Sequence, residues 1–303
     1  MTEDRPIVVV GAHAQGLLLH VDSIPAEGQS VLAWGYEEPM DGGKATNQAV
    51  AVARLGVPVR LVTVVGNDER GRRAIGYFEE VGVDVSFSVA VNGATDVGFV
   101  LLPPNAIPAI ATAMERSAQL DAPLVRRRAS AIDGASSVVC QLEAPPEAAL
   151  EAFRIARERR VRTILNPSPV VPVPFELFEL CDVLVPNEHE AAELVGREAP
   201  VAELAAAVHE RLAIPMVVVT AGAAGAYVAA GGHVQHVPTR VAEAVDTTGA
   251  GDAFLAALAV RLRAEDHLAD AVAYAVRAAT IKAERPGTMP SFATAAEVEA
   301  LAR

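Results

Sequence analysis

The sequence predicts an α/β protein: a parallel sheet with helices on both faces. Three observations predict it. Short valine-rich runs recur along the chain, and most stop at Gly, Asn or Pro. Between them lie stretches whose apolar residues follow helical spacing. Half of the 303 residues (51%) are hydrophobic but only 4% are aromatic. The core must therefore be Val, Leu, Ile and Ala, which is what strands buried on both faces require.

The elements follow in order. Ile7 to Val10 reads as a first buried strand, ending at Gly11. Residues 28–40 carry alternating and aromatic residues with few helix formers, which suits exposed antiparallel strands. Asn47 to Leu55 has helical spacing and stops at Gly56. Val59 to Val65 reads as a strand, and Gly71 to Val81 as a helix stopped by Gly82. Ser137 to Leu142 is a strand, Pro146 to Arg160 an amphipathic helix, and Val161 to Leu165 a strand ending at Asn166 and Pro167. Val183 to Val185 precedes Pro186 and Asn187; Pro200 to Leu212 is helical; Met216 to Thr220 is a strand. This alternation implies a parallel sheet with helices on both faces. Residues 12–40 and 86–113 break the rhythm and carry several prolines. They are expected to form a small accessory sheet. No repeat, low-complexity tract or flexible linker divides the chain, so residues 1–303 are expected to be one domain.

The formal net charge is −13. That argues against nucleic acid, whose phosphates need a basic surface, and against an anionic membrane. Cys140 and Cys181 both sit beside apolar runs, so reduced buried thiols are expected. The opening MTEDRP is acidic and meets only a short apolar stretch, so no secretory signal is expected. No apolar run reaches the length of a membrane span. A cytoplasmic protein is the expectation.

Four segments carry candidate chemistry. The first is Asp246 to Leu262, DTTGAGDAFLAALAVRL. Its small residues run straight into an apolar helix, so Gly249, Ala250 and Gly251 present amides at a helix N-terminus, which is an anion site. Asp252 at its edge either accepts the proton of a hydroxyl attacking a phosphoryl group or merely caps the helix. The second is DGGKATNQAV, 41–50. Gly42 and Gly43 allow close backbone approach, and Asn47 either caps the helix or binds a sugar hydroxyl. It is not a Walker A loop, since residue 38 is Glu and residue 45 is Ala. The third is PNEHE, 186–190: Asn187, Glu188 and Glu190 at a strand end, either serving a magnesium ion or simply starting a helix. The fourth is TAGAAG, 220–225, which either approaches a nucleotide or is a plain turn.

Taken in this order, with QLEAP (141–145), NPSP (166–169) and RPGTMPS (285–291), these segments resemble the ribokinase (PfkB) family of carbohydrate kinases. The resemblance implies a Rossmann-like three-layer α/β fold with a parallel-dominated sheet and a small β-sheet lid that also serves as a dimer contact. It implies ATP and Mg²⁺, with Asp252 as catalytic base and Gly249, Ala250 and Gly251 as the anion hole. Asn187, Thr220, Gly222 and Gly225 would surround the nucleotide, and Glu190 would act on the magnesium water network. Gly43, Lys44, Asn47 and Glu143 would line the sugar site. Asp246, Thr248, Lys282, Arg285, Gly287 and Ser291 match a monovalent-cation site, several through backbone carbonyls, so potassium activation is implied.

Two departures bear on the acceptor. The family's Gly-Ser-x-Asn-x-Asp after the first strand is here Gly11-Ala12-His13-Ala14-Gln15-Gly16. Ala14 and Gly16 remove two hydroxyl-binding groups, for which His13, Gln15, Asp22 or Asp41 are the nearby candidates. The 103–118 stretch also lacks the family's Gly-Ala-Asn run. A sugar or related polyol is expected, phosphorylated on a primary hydroxyl. The alternatives are a nucleoside or other ring-polyol kinase, which the scarcity of aromatics disfavours, and a catalytically silent sugar binder, which the intact GAGD turn disfavours.

Overall fold

The computed structural model describes residues 5–39, 42–104, 109–240, 243–263 and 267–302. In chain order the strands are β1 (Ile7–Val10), β2 (Gln15–Val21), β3 (Ala33–Glu37), β4 (Val59–Val62), β5 (Val64–Gly66), β6 (Val83–Asp84), β7 (Val89–Val91), β8 (Val97–Leu102), β9 (Ala109–Ala113), β10 (Ser137–Cys140), β11 (Arg162–Leu165), β12 (Val183–Leu184), β13 (Met216–Thr220), β14 (Ala226–Ala230) and β15 (His233–Val237). The helices are α1 (Lys44–Arg54), α2 (Glu69–Glu80), α3 (Ala122–Arg127), α4 (Pro146–Glu158), α5 (Glu176–Glu179), α6 (Glu188–Val195), α7 (Val201–Leu212), α8 (Ala250–Leu262), α9 (Leu268–Ala283) and α10 (Ala295–Ala300).

The large sheet has the order β15-β14-β13-β12-β11-β10-β1-β4-β6. It is parallel from β6 to β13, and β14 and β15 close one edge antiparallel. Successive residues of β1 face opposite sides. Ile7 and Val9 join a core built with α1, α2, α8 and α9; Val8 and Val10 join one built with α3, α4 and α7. That is the three-layer arrangement, and it explains why β1 is apolar on every residue.

The small sheet runs β3-β2-β8-β9, with β2 and β8 parallel and the outer pairs antiparallel. It comes from the two stretches that broke the sequence rhythm. A separate parallel pair, β5 and β7, arises because the run at Val59 to Val65 is divided at Thr63. Sequence reading did not separate those strands, and it did not foresee β14, β15 or α9. No helix among the described residues is long and apolar enough to cross a membrane. Cys140 and Cys181 are free and buried.

The turns beyond the carboxyl ends of β1, β11, β12 and β13 all open on one edge of the sheet, where Gly11, Asn166, Asn187 and Thr220–Gly222 lie. Ligands of open parallel sheets sit at this edge.

Candidate active site

Helix α8 begins differently from what an N-capping aspartate would give. Gly249 is the N-cap, in a left-handed conformation (φ 79°), and no side chain caps the helix. A Cβ at Gly249 would lie 2.4 Å from Thr288 Cγ2, so both the backbone angle and the close approach demand glycine. Asp252 is thereby released from capping. It is buried at 7% exposure. Its Oδ2 accepts from Asn47 Nδ2 and its Oδ1 from Gln48 Nε2, both at 2.9 Å. A carboxylate can accept about four hydrogen bonds, so capacity remains on each oxygen.

Of the three amides expected to form the anion turn, that of Ala250 donates to the Thr247 carbonyl at 3.1 Å. The Gly249 and Gly251 amides have no partner among the described residues. The turn therefore offers two free amides rather than three.

The donors to Asp252 come from α1. This helix begins at Lys44, three residues before the position expected, because Gly43 (φ 81°) serves as its N-cap. A Cβ at Gly43 would stand 2.7 Å from the Ala12 carbonyl oxygen, so α1 presses directly on the loop after β1. Asn47 lies inside the first turns and does not cap; its amide nitrogen faces Asp252 instead. One turn from Lys44, Gln48 is fully buried, and its Oε1 accepts from Gln141 Nε2. Gln141, Gln48 and Asp252 form a chain that fixes the carboxylate. Neither glutamine was singled out from sequence. The available signal was a polar pair, Asn47 and Gln48, inside an otherwise apolar helix.

Lys44 is half-buried, and its backbone amide donates to Glu143 Oε2 at 2.6 Å. Burial works against its charge, but Asp252, Glu143 and Glu190 outweigh this and raise its pKa, so it stays an ammonium. Burial raises the Asp252 carboxyl above the usual carboxylate range, against the pull of Lys44, Asn47 and Gln48. Burial raises Glu143 likewise, opposed by Lys44.

A cavity of about 100 Å³ lies over Asp252, lined also by Lys44, Asn166, Asn187, Glu190, Thr220, Gly249 and Gly251. Asn187 and Glu190 form a capping box at the start of α6, using Asn187 Oδ1 and Glu190 Oε2, each at 2.8 Å. They start a helix and line the cavity at once. Lys44, expected on the sugar side, faces this cavity. A larger cavity of about 390 Å³ shares Thr220 and Gly251 with the first and extends over Gly222, Gly225 and Ala250 to Phe254, Val276 and Ala283. The TAGAAG turn is thus part of a pocket as well as a turn, and α9 supplies a wall that sequence reading did not assign.

Around the expected sugar side, Ala14 is buried and supplies no hydrogen-bonding group. Gly16 pairs with Gly98 across β2 and β8. His13 is fully buried, edge-on to Phe78 at 5.3 Å, with Nδ1 3.3 Å from Thr46 Oγ1. Burial lowers its pKa to about 4, so it is neutral at pH 7. Gln15 donates to the Pro39 carbonyl at 2.5 Å, and Asp22 is exposed at the end of β2. Asp41 and residues 105–108 lie outside the described residues.

The six residues of the expected cation site do gather beneath the anion turn. Asp246 Oδ1 accepts from the Thr248 amide at 2.9 Å and Oδ2 from the Gly287 amide at 3.1 Å. The ammonium of Lys282 donates to the Asp246 carbonyl at 2.8 Å and lies 3.4 Å from that of Arg285. Ser291 Oγ donates to the carbonyls of Gly287 and Thr288, each at 2.7 Å. The Lys282 ammonium therefore already sits against two of the oxygens that a potassium ion would use, the carbonyls of Asp246 and Arg285.

A cavity of about 390 Å³, a free-amide turn and a buried carboxylate at the ligand edge of an α/β sheet are the parts that phosphoryl transfer requires. Comparison with known proteins gives the same class. The model of the pfkB carbohydrate kinase family matches residues 7–295, and the chain belongs to that family, whose activity is ATP-dependent phosphorylation of a sugar. It is 33% identical over 96% of its length to a bifunctional ribokinase/ribose-5-phosphate isomerase A of Fructilactobacillus sanfranciscensis, of which it spans 55%. It is 30% identical to a Staphylococcus aureus ribokinase, covering 96% of this chain and 98% of that one. An Arabidopsis thaliana ribokinase solved with ribose and ATP superposes with a TM-score of 0.87 at 26% identity, over 98% of each chain.

Proposed function

We propose that Asp252 is the general base in transfer of the γ-phosphoryl group of ATP to a hydroxyl of a small sugar or polyol. The observation that carries this is the position of its buried carboxylate, held by Asn47 and Gln48 beside the unpaired amides of Gly249 and Gly251. The acceptor oxygen attacks phosphorus as its proton passes to Asp252, and ADP leaves with the electrons of the broken P–O bond. The two amides and Lys44 hold the charge of the transferring group. Thr220, Gly222 and Gly225 bound the space for the nucleotide.

Magnesium fits as a companion of the nucleotide. Among the described residues no three His, Cys, Asp or Glu side chains cluster to hold a metal. Magnesium typically keeps several waters and phosphate oxygens as ligands, and Glu190 and Asn187, which line the cavity, would accept from those waters. Bound there, it would neutralise phosphate charge.

The acceptor is a sugar whose hydroxyls do not rely on side chains at positions 14 and 16. Sites that lose such partners lose discrimination for the compound that used them. The small sheet serves as a lid over this side and as the contact with a second copy. Supporting that contact, Trp34 (65%), Tyr36 (56%) and Phe99 (46%) are exposed on it, and Leu32 (91%) is exposed just before β3. The free buried thiols fit a cytoplasmic enzyme.

The test is ADP release with MgATP across pentoses, deoxysugars, hexoses, polyols and nucleosides. At least one sugar or polyol gives turnover, and ribose is not the best of them. Turnover with none, while MgATP binds, would contradict the proposal.

A further inference from the structure

Lys282 is the one charged side chain among the largest fully buried groups, with no exposed surface. A buried ammonium is costly unless its donors are all engaged. Lys282 meets that condition with backbone oxygens. It lies in the last turn of α9, where the helix leaves carbonyls unpaired and favours a positive charge. Its Nζ donates to the Asp246 carbonyl at 2.8 Å, is 3.4 Å from the Arg285 carbonyl, and is 3.8 Å from Asp246 Oδ2. Two carbonyls and a carboxylate around one compact positive charge are the surroundings of a desolvated monovalent cation.

The two segments joined there form the underside of the anion turn. Val245 and Asp246 donate their amides to the Ala283 carbonyl at 2.8 and 3.1 Å, which ties the first segment to the end of α9. The Asp246 carboxylate bridges from the Thr248 amide to the Gly287 amide. Three residues on is Gly249, the α8 N-cap, packed against Thr288 of the second segment.

We propose that the Lys282 ammonium takes the place of a monovalent metal ion: a tethered cation that holds segments 246–249 and 285–288 together and fixes the anion turn without an ion from solution. Lys282 is then a positioning residue, acting on the reaction through Asp246 and the turn. The inference rests on the kinase reading for its effect on turnover, and on geometry alone for its effect on ion binding.

The experiment compares potassium, sodium and choline chlorides at constant ionic strength, on the wild type and on Lys282→Ala, reading both turnover and melting temperature. In the wild type both readings are the same in all three salts. Lys282→Ala opens the carbonyl cage. Its melting temperature rises with potassium over choline as an ion binds, since a ligand of the native state stabilises it by mass action. Its turnover, lowered in choline by about tenfold or more for loss of a buried charge–carbonyl contact, recovers in potassium. Lys282→Met, which keeps the apolar stem and fills the cage, is lowered without recovery and also serves if the alanine variant does not fold. A wild type whose turnover or melting temperature climbs with potassium would overturn the proposal, and so would a Lys282→Ala protein as active as wild type in choline. The melting temperature needs no acceptor, so it separates failure of this inference from failure of the kinase reading.

Discussion

Asp252 is a base only while ionised, and its surroundings pull in two directions. Burial and Glu190 raise its pKa; Lys44, Asn47 and Gln48 lower it. Removing Lys44 takes away the only cation in that balance. For Lys44→Met the carboxyl titrates higher, so the acid limb of the turnover–pH profile moves to higher pH. A limb that stays in place, or moves down, would contradict the electrostatic role given to Lys44. Residue identity was the most legible level of this site. Gly249, Gly251, Asp252, Lys44, Asn187 and Glu190 were all named from sequence, and the structure gathers them around one cavity. What was not legible was partnership. Asn47 and Gln48 reach Asp252 across 205 and 204 positions, and no local spacing records that. Lys282 shows the same limit: its match concerned backbone carbonyls, whereas its ammonium is what meets them.

At the scale of elements, the start of α8 is the critical joint. Gly249 holds a left-handed φ and touches Thr288. Gly249→Ala combines backbone strain with a side-chain collision. It should cost about 1–3 kcal/mol of stability from the strain alone, with further loss of turnover because the Gly251 amide shifts. Gly231→Ala is the control: it has φ 57° and open space around its Cβ. Urea unfolding with ADP-release assays reads both. Equal turnover in the two variants would show that the turn tolerates displacement. Helix starts were also where sequence reading slipped. Asn47 is a favoured cap residue and α1 was begun there, but Gly43 supplies the cap conformation through φ 81°. The antiparallel pair β14 and β15 was missed because short strands after a glycine turn carry little periodicity. The parallel strands β1, β10, β11, β12 and β13 were readable because burial on both faces gives each a run of consecutive apolar residues.

For the whole molecule, the small sheet is the part left most exposed. Tyr36 lies opposite Leu19 and Phe99 opposite Leu17, so these aromatics share one face. Contiguous exposed apolar surface of this kind marks an interaction site. Sedimentation should find a dimer for the wild type and a monomer for a Trp34→Lys, Tyr36→Lys double variant. A wild type that sediments as a monomer would remove the interface.

The most direct test of the account is Asp252→Asn, with turnover and nucleotide affinity measured on the same preparation. The amide keeps the shape and cannot take the proton. Turnover should fall by about 10²–10⁴-fold, the usual range for loss of a general base, while nucleotide affinity stays near that of the wild type. Undiminished turnover in the variant would contradict the assignment of Asp252 as the base.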